Sequence, residues 1–173
     1  MAARLRRALC TAPLAAALLG ATLTLTACTE APPPGFERVT LDGRTFTLEV
    51  VADDDSRMKG LGDRRSLPDD GGMLFVFPDS VRRQFVMRDC YIDIDIIFLD
   101  ASASIVAMHH MVVEDPRREG ETDAEYEGRL VRYPSRFGSE FVIELKGGVL
   151  EGLDLKEGEA VDLDVKRLRS MAK

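Results

Sequence analysis

Two carboxylates lie just before the most apolar run of the chain, in the segment QFVMRDCYIDIDIIFLD at residues 84–100. Asp93 and Asp95 are two positions apart, so on a strand both side chains point to the same face. Carboxylates separated by about 7 Å could act as an acid and base pair or bind a hard cation. The structural alternative is that an arginine neutralises Asp95, since a buried unpaired carboxylate is costly, while Asp93 lies at a solvated strand end.

Arginine and methionine side chains near these carboxylates define a candidate cleft. Met87 and Arg88 end the preceding predicted strand, and Arg57 and Met58 lie in an earlier helical segment. An arginine fork matches carboxylate geometry and therefore suits an anionic ligand. The sequence predicts a small cleft lined by these four side chains and Asp95. The alternative is an arginine-covered surface above core methionines.

Cys90 and the histidine pair are weaker candidates for chemistry. A catalytic thiol needs a base that lowers its pKa, and the adjacent His109 and His110 point to opposite faces of a predicted strand. Nucleophilic catalysis is therefore the minor interpretation beside a small, half-buried thiol. His109 and Met111 share a face, which is a two-ligand hint of a soft-metal site. No catalytic residue, metal site or cofactor is assigned.

Short strands with brief helices must position these groups. Alternating apolar residues around Asp42-Gly43 predict a hairpin, and a short helix begins near Asp53 and ends at Gly60 and Gly62. The pattern favours a mainly β, α+β fold with a compact, antiparallel, partly barrel-like sheet and one or two short helices. The predicted strands are FERVTL, RTFTLEVV, MLFVF, RRQFVM, IDIDIIFLD, ASASIVAMHHMVV, SEFVIEL and AVDLDVKRL. A turn is expected at residues 78–80, between MLFVF and RRQFVM.

A long polar excursion at residues 114–136 interrupts the strands. Thr122 and Glu125 have the spacing of a capping box, which predicts a helical turn inside the excursion. Long connections of this kind in a compact domain tend to be lids or mobile segments. A short helical turn is also expected in VLEGLDLKEG, between the last two predicted strands.

The N-terminus reads as a lipoprotein signal. Three arginines precede an uncharged stretch rich in Ala, Leu and Thr, and residues 25–28, LTAC, resemble a bacterial lipobox. The interpretation is a signal peptide at residues 1–27, lipidation at Cys28, a Pro-rich tether over residues 28–35 and one domain at residues 36–168. An ordinary signal peptide is the alternative. Thr29 after the cysteine is similar to outer-membrane lipoproteins, so we expect an outer-membrane anchor facing the periplasm.

Charge and cysteine content exclude several function classes. Removal of the three arginines of the signal changes the net charge from −7 to −10, which disfavours nucleic acid as a partner. Cys10 leaves with the signal and Cys28 is acylated, so Cys90 has no partner for a disulfide in the mature chain.

Four motifs in order resemble the DUF192 (UPF0127) family. They are R-x-x-G-L at Arg57, GGMLFVF at residues 71–77, FVMRDCYIDIDIIFLD at residues 85–100 and FVIELKGG at residues 141–148. The resemblance implies a small, mainly β fold and no settled activity. It marks Asp95 and Glu144 as motif carboxylates, whereas Asp93 stands where the family usually has proline. A strand-borne glutamate before a glycine pair is expected to bond backbone amides, and a catalytic role for it is the minor interpretation.

These observations together predict an envelope lipoprotein that serves as an accessory module. Its expected partners are the membrane, through the anchor, and a small polar or anionic ligand or an envelope protein. Asp93, Glu144 and Cys90 are secondary candidates for the site. A hydrolase that uses Asp95 with Asp93 or Glu144 is one alternative. A structural envelope protein without a ligand is the other, and it predicts no cleft near residues 57 and 88.

Overall fold

A computed structural model describes residues 31–173; the predicted signal peptide and Cys28 lie outside these residues. The strands are β1 (Phe36–Leu41), β2 (Arg44–Val51), β3 (Gly71–Phe85), β4 (Ile94–Leu99), β5 (Ile105–Met111) and β6 (Tyr133–Lys146). The helices are α1 (Asp54–Lys59), α2 (Asp123–Arg129) and α3 (Val165–Arg169), and a 3-10 turn covers Leu150–Gly152. No helix in this part of the chain has the length and apolar character needed to cross a membrane.

The six strands form one open sheet in the order β1-β2-β3-β6-β4-β5. The prediction of a mainly β, α+β fold is confirmed. The sheet is mixed and open rather than antiparallel and partly barrel-like, because β2 and β3 run parallel while the other neighbours are antiparallel. The parallel pair follows from the connection through α1. This connection returns the chain to the end of the sheet at which β2 began, so β3 runs in the same direction as β2.

Two predicted strands, MLFVF and RRQFVM, are one long strand. The turn expected at residues 78–80 is instead a bulge, since Val76 pairs with Phe141 and Val81 pairs with Ser139 of the same partner strand. The extra residues on β3 bend it without breaking its pairing with β6. The outer half of β3 thereby extends beyond the core and can form a wall.

The predicted hairpins are present. β1 and β2 are joined at Asp42-Gly43, where both residues have positive φ as a type I′ turn requires. β4 and β5 form the second hairpin. In the excursion, Thr122 and Glu125 make the expected capping box at the start of α2.

The predicted final strand AVDLDVKRL is wrong. Only Ala160 makes a bridge, to Ser104, and the segment then continues into α3. The side chain of Asp164 caps this helix by accepting a hydrogen bond from the amide of Arg167. The cap at Asp164 and the burial of Leu168 favour a helix over the strand that the period-two pattern predicts. The apolar residues of that pattern still pack on the sheet, but from an irregular segment.

Buried apolar side chains cover both faces of the sheet. One face carries Leu48, Leu74, Ile97 and Ile143 and is covered by the C-terminal segment with Leu168. The other face carries Phe75, Ile96, Phe98 and Val142. Because successive strand residues alternate between faces, each position in β3, β4 and β6 is assigned to one core or the other.

Candidate functional site

A cleft of about 530 Å³ opens on the sheet face that carries Phe75. Its walls come from α1 and the Gly60–Gly62 turn, from the outer half of β3, and from residues 88–90 after that strand. This volume lies in the range of small-molecule sites. A cleft beside residues 57 and 88 is the opposite of what a ligand-free structural role predicts.

The turn after α1 brings two motifs of the sequence together. Asp53 caps the start of α1 by accepting a hydrogen bond from the amide of Ser56, and Gly60 ends the helix with a φ of 51°. Glycine adopts this φ without strain. The next amide, that of Leu61, donates to the carboxyl group of Glu144 on β6. The predicted amide contact of this glutamate exists, but with the α1 turn rather than with the glycine pair that follows β6.

Glu144 is the most unusual group of the cleft. It lines the wall with only 5 % of its surface exposed, between its cross-strand neighbours Met73 and Ile96. Its Oε2 has no hydrogen-bond partner. Burial raises the pKa of Glu144 to about 8, although the Leu61 amide and the charge of Arg64 act in the opposite direction. The carboxyl group is therefore largely protonated at neutral pH.

Cys90 lies in the same cleft but is not activated. Burial, together with the charges of Glu144, Asp89 and Asp63, raises the pKa of its thiol to about 12. Its Sγ lies 3.4 Å from the carbonyl oxygen of Arg88. Neither histidine lines the cleft. The thiol thus has no neighbouring histidine, and its raised pKa keeps it protonated.

Most cleft arginines are held by other side chains. Arg57 donates to the carbonyls of Val76 and Lys173 and pairs with Asp54 at 2.7 Å. Arg88 makes a two-pronged pair with Glu127 of α2. Its Nη1 also lies 3.5 Å from Sδ of Met58, a side chain that is 73 % exposed.

Two cations of the cleft have no such partner. Lys59 and Arg82 line it, and within residues 31–173 neither makes an ion pair or a side-chain hydrogen bond. They are the positive charges available to an anionic group of a ligand.

Three phenylalanines form an apolar wall. The rings of Phe75 and Phe77 are stacked with centroids 6.4 Å apart, and Phe85 meets Phe75 edge-on at 5.2 Å. The guanidinium groups of Arg57 and Arg83 lie over the Phe77 ring, at 5.2 Å and 3.5 Å from its centroid. The site therefore combines aromatic surface with cations.

The prediction that Asp95 lines this cleft is corrected by the structure. Asp95 shares a face of β4 with Ile97, and its cross-strand neighbour is Leu145, so it lies on the sheet face opposite to Glu144. Arg57 and Asp95 are separated by the sheet. Met87, which is 2 % exposed, belongs to the core rather than the cleft wall.

Asp95 is fully occupied by local contacts. Its Oδ1 lies 2.6 Å from Nδ1 of His110, and its Oδ2 accepts a hydrogen bond from the amide of Leu150. Asp93 accepts from the amide of Val113, and its Oδ2 is 4.0 Å from Nε2 of His110. The Asp95 contact raises the pKa of His110. These carboxylates connect β4 to β5 and to the 3-10 turn. Asp95 therefore has a structural role, but its partners are a histidine and a backbone amide rather than the arginine that the structural alternative expected.

The metal hint at His109 and Met111 has no support in the geometry. Nε2 of His109 is bonded to the carbonyl of Pro134, and the side chain of Met111 is buried in the core. Among the described residues there is no group of three His, Cys, Asp or Glu side chains that could hold a metal ion.

The structure thus brings together Arg57, Met58, Arg88, Cys90 and Glu144 and leaves out Met87, Asp93 and Asp95. Sequence reasoning missed Lys59, Arg82 and the aromatic wall. Phe75 and Phe77 alternate in GGMLFVF and so had to share a face, a signal that was available. Phe85 and Arg82 were hidden by the expected turn at residues 78–80.

Comparison with known proteins gives a family and a fold. The model of the DUF192 family, described as an uncharacterized ACR, matches residues 37–163. A crystal structure from Sinorhizobium meliloti 1021, of a protein named as a proposed transcription regulator, is similar with 27 % identity and a TM-score of 0.58; the match covers 72 % of this chain and 89 % of that one. A protein of unknown function from Novosphingobium aromaticivorans DSM 12444 matches at 24 % identity and a TM-score of 0.60, over 79 % and 94 % of the two chains. No curated protein matches the sequence.

Proposed function

Because this chain belongs to the DUF192 family, which has no described activity, we propose from its cleft that it is a binding module for a small polar or anionic ligand. The observation that carries the proposal is the buried carboxyl group of Glu144, whose Oε2 has no hydrogen-bond partner in a cleft that also holds two free cations. A protein retains such a costly group where a ligand completes its contacts.

The rim supports the anionic part of this proposal. Lys59 and Arg82 supply positive charge without an internal carboxylate to neutralise it, while the aromatic wall supplies apolar contact. The acidic net charge of −7 argues against nucleic acid, so the regulator name of the Sinorhizobium protein is not carried over.

The test is native mass spectrometry of the protein purified from its own host. The expected result is a co-purified small molecule that is lost in the variant Arg82→Ala. It should be retained in the control variant Arg118→Ala, which removes an exposed arginine outside the cleft. A ligand-free mass under gentle ionisation would contradict the proposal.

A carboxylate-dependent enzyme is the second candidate, because the pKa of Glu144 is raised to about 8 inside a cleft. Glu144 would act as a proton donor, while Asp95, on the opposite sheet face, has no place in the reaction. In that case Glu144→Gln protein should co-purify with an unreacted molecule whose mass differs from that carried by the wild type. Identical masses would favour simple binding.

We also propose that the chain is a lipoprotein held at the outer membrane through Cys28 and facing the periplasm. The support is the LTAC sequence after an uncharged stretch and three arginines. Labelled palmitate should be incorporated into the wild-type protein but not into the Cys28→Ser variant. The variant should also disappear from the membrane fraction of the cells. Labelling that persists in Cys28→Ser would contradict the assignment.

A further inference from the structure

Oε2 of Glu144 is the single buried side-chain polar atom without a hydrogen-bond partner in residues 31–173. The groups around it come from every neighbouring element. Met73 and Ile96 flank it across the sheet, and Leu61 donates its amide from the α1 turn. Among the described residues, the positive charge of Arg64 from the same turn acts on it, and the charge of Glu144 in turn acts on the thiol of Cys90.

Burial favours the neutral form of Glu144, but two of its neighbours would stabilise a carboxylate once a counter-charge is present. The Leu61 amide is a donor, and Arg64 is a cation, so both favour the charged form of Glu144. Arg64 is committed to Glu49 of β2, at 2.5 Å. No acceptor for a proton on Oε2 is present among the described residues. A cationic donor supplied from outside would give Oε2 its missing hydrogen bond and the carboxylate its missing counter-charge.

The approach to this oxygen lies beside the aromatic wall. A Cβ at Gly60 would lie 3.6 Å from Oε2 and 3.3 Å from Cζ of Phe75, so the α1 turn approaches both groups closely at this glycine. An ammonium group that reached Oε2 from the cleft would meet a carboxylate, which favours a cation. The free cations Lys59 and Arg82 belong to the same cleft and call for an anionic group.

From this arrangement we propose that the ligand is a small apolar zwitterion of the amino-acid type. Its ammonium group pairs with Glu144, its apolar side chain packs on the partly exposed rings of Phe77 and Phe85, and its carboxylate is bound by Arg82 and Lys59. The inference rests on the proposed binding function and specifies the chemical class of its ligand. The cleft volume of about 530 Å³ accommodates a molecule of this size.

Pairing with an ammonium group should release a proton. In the free protein Glu144 holds its proton at pH 7, because its pKa is about 8. The ion pair lowers that pKa, so binding at pH 7 releases close to one proton, and less as the pH approaches 9.

Three probes separate the contributions of the ligand groups: phenylalanine, 3-phenylpropanoate without the ammonium group, and phenethylamine without the carboxylate. Titration calorimetry in buffers of different ionisation enthalpy measures both affinity and proton release. We expect phenylalanine to bind on the order of tenfold or more tightly than either truncated probe. Proton release should accompany phenylalanine and phenethylamine but not 3-phenylpropanoate.

Variants test the assigned partners. Glu144→Gln should weaken the binding of phenylalanine on the order of tenfold and abolish the release of a proton. The affinity for 3-phenylpropanoate should not change. Asp115→Asn, which alters a 79 % exposed carboxylate of the excursion, should change nothing.

Binding of 3-phenylpropanoate as tight as that of phenylalanine, without proton release, would overturn the ammonium assignment and leave the proposed binding function standing. Failure of all three probes at millimolar concentration would overturn the zwitterion itself. The proposed function fails separately, through a ligand-free mass of the protein from its host.

Discussion

The carboxyl group of Glu144 holds its proton more tightly in the folded protein than in the unfolded chain. Its pKa is raised from 4.5 to about 8 by burial. Between these values the folded state binds more protons, so the free energy of unfolding falls as the pH rises, by at most about 1.4 kcal/mol per unit. From pH 5 to pH 8, wild type should lose roughly 3 kcal/mol more than Glu144→Gln, as measured by urea unfolding.

His110 acts in the same direction and needs its own control. Its pKa is raised above 6.5, so its contribution is fully present below 6.5 and is lost as the pH rises through the folded value. His110→Gln should remove that part and leave the Glu144 part intact. If the free energy of unfolding changed with pH in the same way for wild type and Glu144→Gln between pH 5 and 8, the pKa of Glu144 would not be raised by folding.

Asp95 orients His110 and fixes the 3-10 turn through two hydrogen bonds. Asp95→Asn removes the charge from both contacts and should destabilise the protein by about 1.5–3 kcal/mol in urea unfolding. The pKa of His110, followed by NMR of its ring protons, should fall toward 6.5. The ring of His109 is a control in the same spectrum, because it is bonded to Pro134 instead. An unchanged His110 titration would contradict the pairing.

At the scale of elements, α2 is attached to the cleft rim by one buried side chain. The Tyr126 hydroxyl accepts a hydrogen bond from the amide of Asp89 and lies 3.3 Å from its carboxylate. Tyr126→Phe should cost about 1 kcal/mol, because a partly buried amide loses its acceptor. Amide exchange of residues 123–129 should then accelerate about fivefold, measured by mass spectrometry.

Tyr91→Phe is the matched control for that experiment. Tyr91 is 48 % exposed, and in residues 31–173 its hydroxyl makes no side-chain hydrogen bond. Equal exchange of α2 in the two variants would mean that Tyr126 does not hold the helix, and that the pair of Arg88 and Glu127 carries the attachment instead.

Elements set by local chemistry could be predicted from the sequence. Asp42-Gly43 fixed the first hairpin, and Thr122 with Glu125 fixed the start of α2, because these signals need only a few neighbouring residues. The prediction of a final strand is wrong because the period-two pattern of residues 160–168 competes with the helix cap at Asp164. Only the burial of Leu168 in the folded protein decides between strand and helix.

The composition of the site depended on longer-range geometry. The sequence predicts that Arg57, Arg88 and Asp95 line one cleft, because all three belong to the motifs that resemble the family. Asp95 pairs with Leu145 and not with Glu144, and this one-residue difference in register puts it on the other face. Register between distant strands is set by the whole sheet, so residue spacing alone could not assign Glu144 rather than Asp95 to the cleft.

At the scale of the whole molecule, two cores share one sheet with β6 at its centre. The buried side chains of β6 alternate between the cores, with Ile143 and Leu145 on one face and Val142 on the other. The parallel β2–β3 pair must approach β6 closely for both cores to close. Gly72 permits that approach, since it lies opposite Leu145 in the register.

This close approach predicts opposite outcomes for two glycine substitutions. A Cβ at Gly72 would lie 2.3 Å from the carbonyl oxygen of Glu144, and the backbone of a central strand cannot move without disturbing both cores. Gly72→Ala should therefore lower stability by roughly 3 kcal/mol or more, or prevent folding, in thermal and urea unfolding. Gly128→Ala on α2 has no atom within 4 Å of its new Cβ and should stabilise by about 0.5–1 kcal/mol. Equal midpoints for Gly72→Ala and wild type would contradict the close approach of β3 to β6 at this position, because the strands would then accommodate the new Cβ at no cost.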